Sequence, residues 1–226
     1  MARLLFAAAA AALLASSASA AVLVVRSTGP SAAAYPPGKA LPDSHVLKLK
    51  ATDTIVLLDS RGTRTLTGPG DFSVSADAAP AAATRTAGAS ARRVRLGAVR
   101  GAGARSVWQA DLGRSGNVCV ANPGELTLYR PDAAQAADVT LTDSAGKSAT
   151  VHFDAQQWEA SWPSDLEVAA GKRVSVTGLA QPATLTLRMV TPIPNGLESM
   201  AQSLIRADCQ AQLDVLINTF SARSEG

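Results

Sequence analysis

The chain has few of the residues that build metal sites, catalytic triads and nucleic-acid interfaces. Its 226 residues include only two histidines and two cysteines, and aromatic residues make up 4%. His45, His152, Cys119 and Cys209 show none of the spacings of a zinc site, so no metal or other cofactor is predicted. Too few aromatic residues stand near the basic ones to stack bases, so no nucleic-acid partner is predicted.

Charged residues are also sparse, at 17%, whereas 47% of the chain is apolar. This balance is typical of a folded chain and excludes one that is wholly disordered. Alanine supplies 46 of the apolar residues, which leaves about 60 larger apolar side chains. That number suffices for one full-size core or for two small ones.

The first 20 residues have the pattern of a secretory signal peptide. Arg3 precedes an apolar stretch over 4–15, and small residues follow it up to a cleavage point before Ala21. The apolar stretch is shorter than the roughly 20 residues that span a bilayer. We therefore expect residues 1–20 to be removed on export to the periplasm, with no transmembrane segment afterwards.

Export determines how the two cysteines are interpreted. Two thiols delivered to an oxidising compartment are expected to pair, so the sequence predicts a disulfide between Cys119 and Cys209. The bond would enclose about 90 residues and would contribute on the order of 4–5 kcal/mol in the chain-entropy model. The alternative, a reactive thiol, has no CxxC motif or nearby histidine in its favour.

The chain divides into two β-rich regions joined by a linker. In residues 21–75, short strand-like runs alternate with Gly- and Pro-rich turns, which predicts a small β module. Residues 76–95 are rich in alanine and arginine and have no apolar periodicity, which predicts a linker.

Residues 96–190 predict an antiparallel β-sandwich, which makes the fold mainly β. Short runs with alternating apolar residues recur at intervals of roughly 8–12 residues, the spacing of sandwiches and barrels. The predicted strands are 106–110, 117–120, 125–129, 138–142, 149–153, 158–162, 173–177 and 184–189.

Residues 195–220 change to the period of a helix. Apolar residues recur there at i, i+3, i+4 and i+7, so we expect one amphipathic helix packed on the sandwich, with Asn195 as its N-cap. Cys209 lies within the apolar stripe. The predicted disulfide would therefore tether the buried face of this helix to the strand that carries Cys119.

Part of the N-terminal module resembles the extracytoplasmic domain of FecR-type proteins. The resemblance covers residues 38–74 and rests on Gly38-Lys-Ala-Leu41, the apolar run 55–58, and the Gly-rich segment 62–70 followed by Phe72. It implies a β-rich binding or signalling module in a Gram-negative envelope. No functional residue is carried over, and the transmembrane helix of those regulators is not seen in the sequence.

Two features are candidate contact sites. Between Ala78 and Ala110 there is no acidic residue, whereas the segment is rich in arginine, which suits forked contacts to an anionic envelope surface or an acidic envelope protein. The alternative is a solvated linker. The candidate residues are Arg92, Arg93, Arg95, Arg100 and Arg105.

The second feature is a pair of tryptophans, Trp158 and Trp162, which share one parity of a predicted strand. They would either pack in the core against the helix, as would Trp108, or form an exposed aromatic platform for a glycan or a peptide.

The sequence shows no catalytic constellation. His152 alternates with inward-facing residues and should be exposed, His45 stands at a turn where it should also be solvated, and no G-x-S-x-G motif is present. We therefore expect a non-enzymatic periplasmic binding or signalling-accessory protein of the envelope. The alternative is a secreted hydrolase that acts on an envelope polymer through a carboxylate pair, which the sequence does not specify.

Overall fold

The computed structural model describes residues 21–60, 62–75 and 105–221, so the predicted leader and linker lie outside the described residues. Strands make up 41% of the described residues and helices 14%, which confirms the mainly β class. The strands are β1 Ala21–Thr28, β2 Ala40–Pro42, β3 Val46–Leu49, β4 Thr54–Asp59, β5 Gly62–Thr67, β6 Gly70–Ser73, β7 Gln109–Asp111, β8 Gly116–Val120, β9 Thr127–Tyr129, β10 Ala137–Asp143, β11 Ser148–Phe153, β12 Glu159–Ser161, β13 Arg173–Thr177 and β14 Ala183–Met189, and the helices are α1 Leu197–Arg206 and α2 Gln210–Thr219.

The N-terminal module consists of two antiparallel sheets. The first has the strand order β2-β1-β4-β5, and the second is the pair β3-β6. One face of the four-stranded sheet and the inner face of the pair share an apolar core. Its members are Val22, Val24, Tyr35, Leu41, Leu47, Leu49, Ile55, Leu57, Leu66 and Val74.

The other face of the four-stranded sheet is covered by the C-terminal helices. Leu23, Val25, Val56 and Leu58 belong to an apolar cluster whose further members come from both helices, from β8 and from the end of β14. Strands β1 and β4 are therefore buried on both faces, which explains their unbroken apolar runs. The helices contribute Ala201, Leu204, Leu213, Leu216 and Ile217 to this cluster.

A bulge in β1 directs a charge toward the helices. Val24 is paired with Leu57 and Arg26 with Val56, so Val25 has no partner of its own on β4. An extra residue reverses the alternation of the strand, which puts Val25 and Arg26 on the same, helix-facing side. There Arg26 forms an ion pair with Asp214 of α2.

The same Asp214 carboxylate reaches the sandwich. Its Oδ2 lies 2.9 Å from Nη1 of Arg114, which is in the turn between β7 and β8. One acid of α2 thus pairs with an arginine from each β region.

Residues 109–190 form the predicted sandwich. A five-stranded sheet of order β11-β10-β13-β14-β8 and a three-stranded sheet of order β12-β9-β7 share one core. The alternation predicted for β10, β13 and β14 is confirmed, since Val139, Leu141, Val174, Val176, Leu185 and Leu187 are all buried.

Two strand pairs in the sandwich are parallel, whereas the sequence predicted an antiparallel sandwich. Strand β8 runs parallel to β14, and β7 runs parallel to β9. Strands β7 and β8 are consecutive in the chain but enter different sheets, each at an edge. Each therefore pairs with a strand that is not its neighbour in the sequence. The direction of β7 and β8 is thus not fixed by the geometry of a hairpin.

The predicted single helix over 195–220 is in fact two helices. The chain turns at Ala207–Cys209, where Asp208 adopts a left-handed φ of 54°. The N-cap of α1 is Gly196 and not Asn195. The position of the helices also differs from the expectation: they pack between the four-stranded sheet and β8, and not on the sandwich alone.

A buried carboxylate holds the loops at one end of the N-terminal module. Asp53 is fully buried and accepts hydrogen bonds from the backbone N–H groups of Ser31, at 2.9 Å, and Lys50, at 2.5 Å. Burial raises the pKa of the Asp53 carboxyl, but hydrogen bonds from Ser31 and Lys50 outweigh it, and the pKa is lowered overall. Gly29, at φ +98°, is required nearby because a Cβ would lie 2.5 Å from Asp53 Oδ1.

Candidate functional site

The disulfide predicted from the sequence is present. Cys119 of β8 and Cys209, which precedes α2, are joined by an S–S bond of 2.06 Å. Beside it, the carboxamide of Gln212 pairs with the Cys119 backbone: Oε1 accepts from Cys119 N–H at 2.6 Å, and Nε2 donates to Cys119 O at 2.8 Å. The free edge of β8 is thereby bonded to α2 at this residue.

One candidate from each of the two predicted contact features meets at Tyr129. The Trp158 and Tyr129 rings are stacked, with centroids 6.4 Å apart and planes 16° apart. The guanidinium carbon of Arg105 lies 3.9 Å from the centroid of the Tyr129 ring. We call Arg105, Tyr129 and Trp158 the aromatic cluster. It lies on the outer side of the three-stranded sheet, because Leu128 of β9 points into the core.

The Arg105 guanidinium forms an ion pair within the protein. Its Nη2 lies 2.8 Å from Oδ2 of Asp111, a buried residue whose Oδ1 accepts a hydrogen bond from Gly113 N–H. The structure thus engages Arg105 with an internal carboxylate and an aromatic ring, so this arginine positions Tyr129 and is not a free contact for an anionic partner. Arg92, Arg93, Arg95 and Arg100 lie outside the described residues.

Trp158 is the exposed member of the aromatic cluster. It is 38% exposed, one of three large apolar side chains exposed to this degree in the described part of the chain. Its own O accepts a hydrogen bond from Arg130 N–H at 3.0 Å, which fixes its backbone at the start of β12. The ring is therefore presented from a defined position and is supported by Tyr129.

A buried arginine holds the loop that carries Trp158. Arg130 is 1% exposed and donates to the carbonyl oxygens of Gln157, Gln135 and Asp154, at 2.7, 2.7 and 2.6 Å. These bonds join the loop after β9 to the loop before β12, and they satisfy a guanidinium that would be costly to bury without partners. Arg130 was not predicted as a structural residue, although it follows Leu126 and Leu128 at the inward parity of a strand.

Trp162 is not part of an exposed platform. It is 9% exposed, lies in the core of the sandwich, and donates from Nε1 to Leu166 O at 2.9 Å. Its core is that of the two sandwich sheets, so neither alternative predicted for Trp162, packing against the helix or an exposed platform, is correct. Trp108, by contrast, packs with the helices as expected.

The two histidines occupy different environments. His152 is exposed, as its alternation predicts, and its Nδ1 lies 2.6 Å from Asp138 Oδ1 across the β10-β11 pair. The hydrogen bond with Asp138 is the main cause of a raised pKa for His152. His45 is half-buried with its ring edge-on to Tyr35, at 6.0 Å between centroids, whereas the sequence analysis expected a solvated side chain.

Within residues 21–60, 62–75 and 105–221, no group of three or more His, Cys, Asp or Glu residues is arranged to hold a metal ion. No helix of the same residues is long and apolar enough to cross a membrane.

The fold and the site define a disulfide-bonded, mainly β protein with one supported and exposed tryptophan. Comparison of the chain with protein-family models, curated proteins and solved structures found no match. The resemblance of residues 38–74 to FecR-type domains therefore stays a prediction.

Proposed function

We propose that this chain is an exported, non-enzymatic binding or signalling-accessory protein of the cell envelope, which holds a partner protein at Trp158. The observation that carries the proposal is the exposure of Trp158 on a rigid support. Tryptophan is enriched among the residues that dominate binding energy at protein interfaces, especially where its position is fixed before binding.

The disulfide supports the periplasm as the compartment. Bonds of this kind persist in oxidising compartments and are rare in the reducing cytosol. A leader over residues 1–20 would deliver the chain there.

The charges near Trp158 suggest the chemistry of the partner surface. Asp154 and Glu159, which flank Trp158 in sequence, are exposed carboxylates, and the Arg105 charge is paired with Asp111. A neutral or basic protein surface suits this arrangement, because an anionic surface would face these two carboxylates. The described part of the contact surface thus favours an envelope protein over an anionic envelope surface.

A pull-down from envelope extract tests the binding surface. We expect wild-type protein to retain a specific partner, and Trp158→Ala to weaken this binding by roughly 30-fold or more, as for a residue that dominates an interface. Ile193→Ala is the matched control, since Ile193 is an exposed apolar residue at 63% and lies outside the aromatic cluster.

Equal retention of the same partner by wild type and Trp158→Ala would refute this surface.

The compartment is tested separately, by fractionation of cells that express the full chain. Protein recovered from the periplasm should begin at Ala21 by intact-mass measurement, and an intact mass that includes residues 1–20 would contradict the proposal.

A further inference from the structure

A cavity of about 200 Å³ lies where the sandwich meets the C-terminal helices. It is lined by the β7-β8 turn and by the start of α2, and it is distinct from the exposed face of Trp158. Sites for drug-sized ligands have volumes of about 300–1,000 Å³, so this cavity suits a smaller molecule. The polar residues that matter to its chemistry are Gln109, Asp111, Arg114, Asp208 and Gln210.

The start of α2 borders the cavity. Gln210, Ala211 and Gln212 form its first turn and all line the cavity. Cys209, at the N-cap, makes no side-chain capping bond. The first N–H groups of a helix have no partner within it and lie at the positive end of the helix dipole, where a carboxylate is stabilised.

Gln109 provides a second, independent indication of a ligand. Its side chain lines the cavity although the residue is only 4% exposed. Oε1 accepts a hydrogen bond from Ser106 N–H at 3.0 Å, whereas Nε2 donates to no atom of the described residues. Because Oε1 is held by the backbone, Nε2 is the end left to face the cavity. An acceptor on a ligand in the cavity would satisfy this donor.

The acids of the cavity are not equivalent. Asp111 is paired with Arg105 and bonded to Gly113 N–H. Asp208 is exposed, and only its Oδ1 takes a hydrogen bond in the described structure, from Gln210 Nε2 at 2.8 Å. Arg114 is paired with Asp214. The groups left without a protein partner in the described part of the chain are therefore Gln109 Nε2, the first N–H groups of α2 and one oxygen of the Asp208 carboxylate.

We propose that this cavity binds a small zwitterion of the α-amino-acid type. Its carboxylate accepts hydrogen bonds from Gln109 Nε2 and from the first turn of α2, and its ammonium group contacts Asp208. A simple anion would lack the second contact, and a simple amine would lack the first.

Titration of the disulfide-bonded protein with alanine, followed by ¹⁵N–¹H spectra, tests the proposal. The side-chain NH₂ resonances of Gln109 and the backbone resonances of 210–212 should shift together and saturate. Acetate should bind more weakly than alanine, and methylammonium should leave the Gln109 resonances unmoved. Alanine that shifts none of these resonances at tens of millimolar would overturn the site, and acetate that binds as tightly as alanine would overturn the zwitterion.

Two isosteric substitutions separate the halves of the site. Gln109→Glu keeps the acceptor for Ser106 N–H but replaces the donor with a carboxylate oxygen, and should weaken alanine binding roughly tenfold or more. Asp208→Asn keeps the acceptor for Gln210, and should weaken alanine binding to a similar degree without weakening acetate binding.

Asn122→Asp is the matched control for Gln109→Glu. It adds the same charge beyond the opposite end of β8 and retains the acceptor for Gly124 N–H. It should bind alanine as wild type does. Unchanged alanine affinity in Gln109→Glu would refute the role of this amide. Weakening by the same factor in Asn122→Asp would also refute it, because added charge alone would then explain the effect.

Discussion

The four-stranded sheet of the N-terminal module is antiparallel, as is the five-stranded sheet of the sandwich except at β8, but the two sheets are covered differently. In the first, β4 is buried at four consecutive residues, Ile55 to Leu58, because a core lies on one face and the helices on the other. In the second, β13 alternates strictly between buried and exposed residues. The comparison shows that the apolar pattern of a strand indicates how many of its two faces are covered by other elements.

The largest expected effect comes from releasing the helices that cover the second face. Reduction of the Cys119–Cys209 bond removes a constraint over 90 residues, worth about 4–5 kcal/mol in the chain-entropy model, while the apolar stripe of the helices stays intact. We expect a lowered Tm by circular dichroism, with secondary structure retained at room temperature.

A Cys119→Ala/Cys209→Ala double variant is the control, and its Tm should not respond to reductant. A non-reducing digest of wild-type protein should contain the linked peptide pair. Two free thiols in protein taken directly from the periplasm would contradict the pairing.

A smaller effect is expected from one side chain on the helix-facing side of the four-stranded sheet. Leu58 is 2% exposed and belongs to the cluster shared with the helices. Leu58→Ala should reduce the free energy of unfolding by about 2–5 kcal/mol, because it removes buried area and leaves a cavity.

The matched change on the uncovered face of the sandwich is Thr177→Ala, at an exposed position of β13. It should change the free energy of unfolding, measured in urea, by about 0.5 kcal/mol or less. Equal losses in the two variants would show that the two sheets do not differ in coverage.

The smallest effect concerns the solvated face of the five-stranded sheet. The hydrogen bond with Asp138 raises the pKa of His152, so the protonated imidazole is favoured in the folded state. Its stabilisation is complete below the unfolded pKa of about 6.5 and is lost as the pH rises through the folded pKa. NMR titration should give a pKa above the ordinary value for His152, and a lower one in Asp138→Asn. An unchanged His152 pKa in that variant would exclude the pair as its cause.

Apolar patterns along the sequence predicted the parts of the fold that depend on residues close together in the chain. Alternation identified the inward residues of β10, β13 and β14, and the change of period identified the helical C-terminal region. The break at Asp208 had no such signal, because neither glycine nor proline interrupts the stripe there. The parallel pairs were also beyond local patterns, since they join strands from distant parts of the chain.

The candidate site was only partly predictable for the same reason. Trp158 and Arg105 were both identified, but from separate features, and Tyr129, on which they meet, was not. The contact depends on the parallel pairing of β7 with β9 and on the loop held by Arg130, both of which join residues distant in sequence. The predicted common face of Trp158 and Trp162 was wrong, because β12 spans only Glu159–Ser161 and Trp158 is exposed whereas Trp162 is buried.

The position of the helices at the end of the chain has a consequence for the order of events during synthesis. The N-terminal module is made first, yet the helix-facing side of its sheet is covered by residues far later in the chain, 188 positions later in the case of Arg26 and Asp214. Until the last segment arrives, Leu23, Val25, Val56 and Leu58 have no cover from it, and exposed apolar surface of this kind favours aggregation of incomplete chains. A chain that stops before α1 would therefore be a better substrate for chaperones and proteases than a chain that includes both helices.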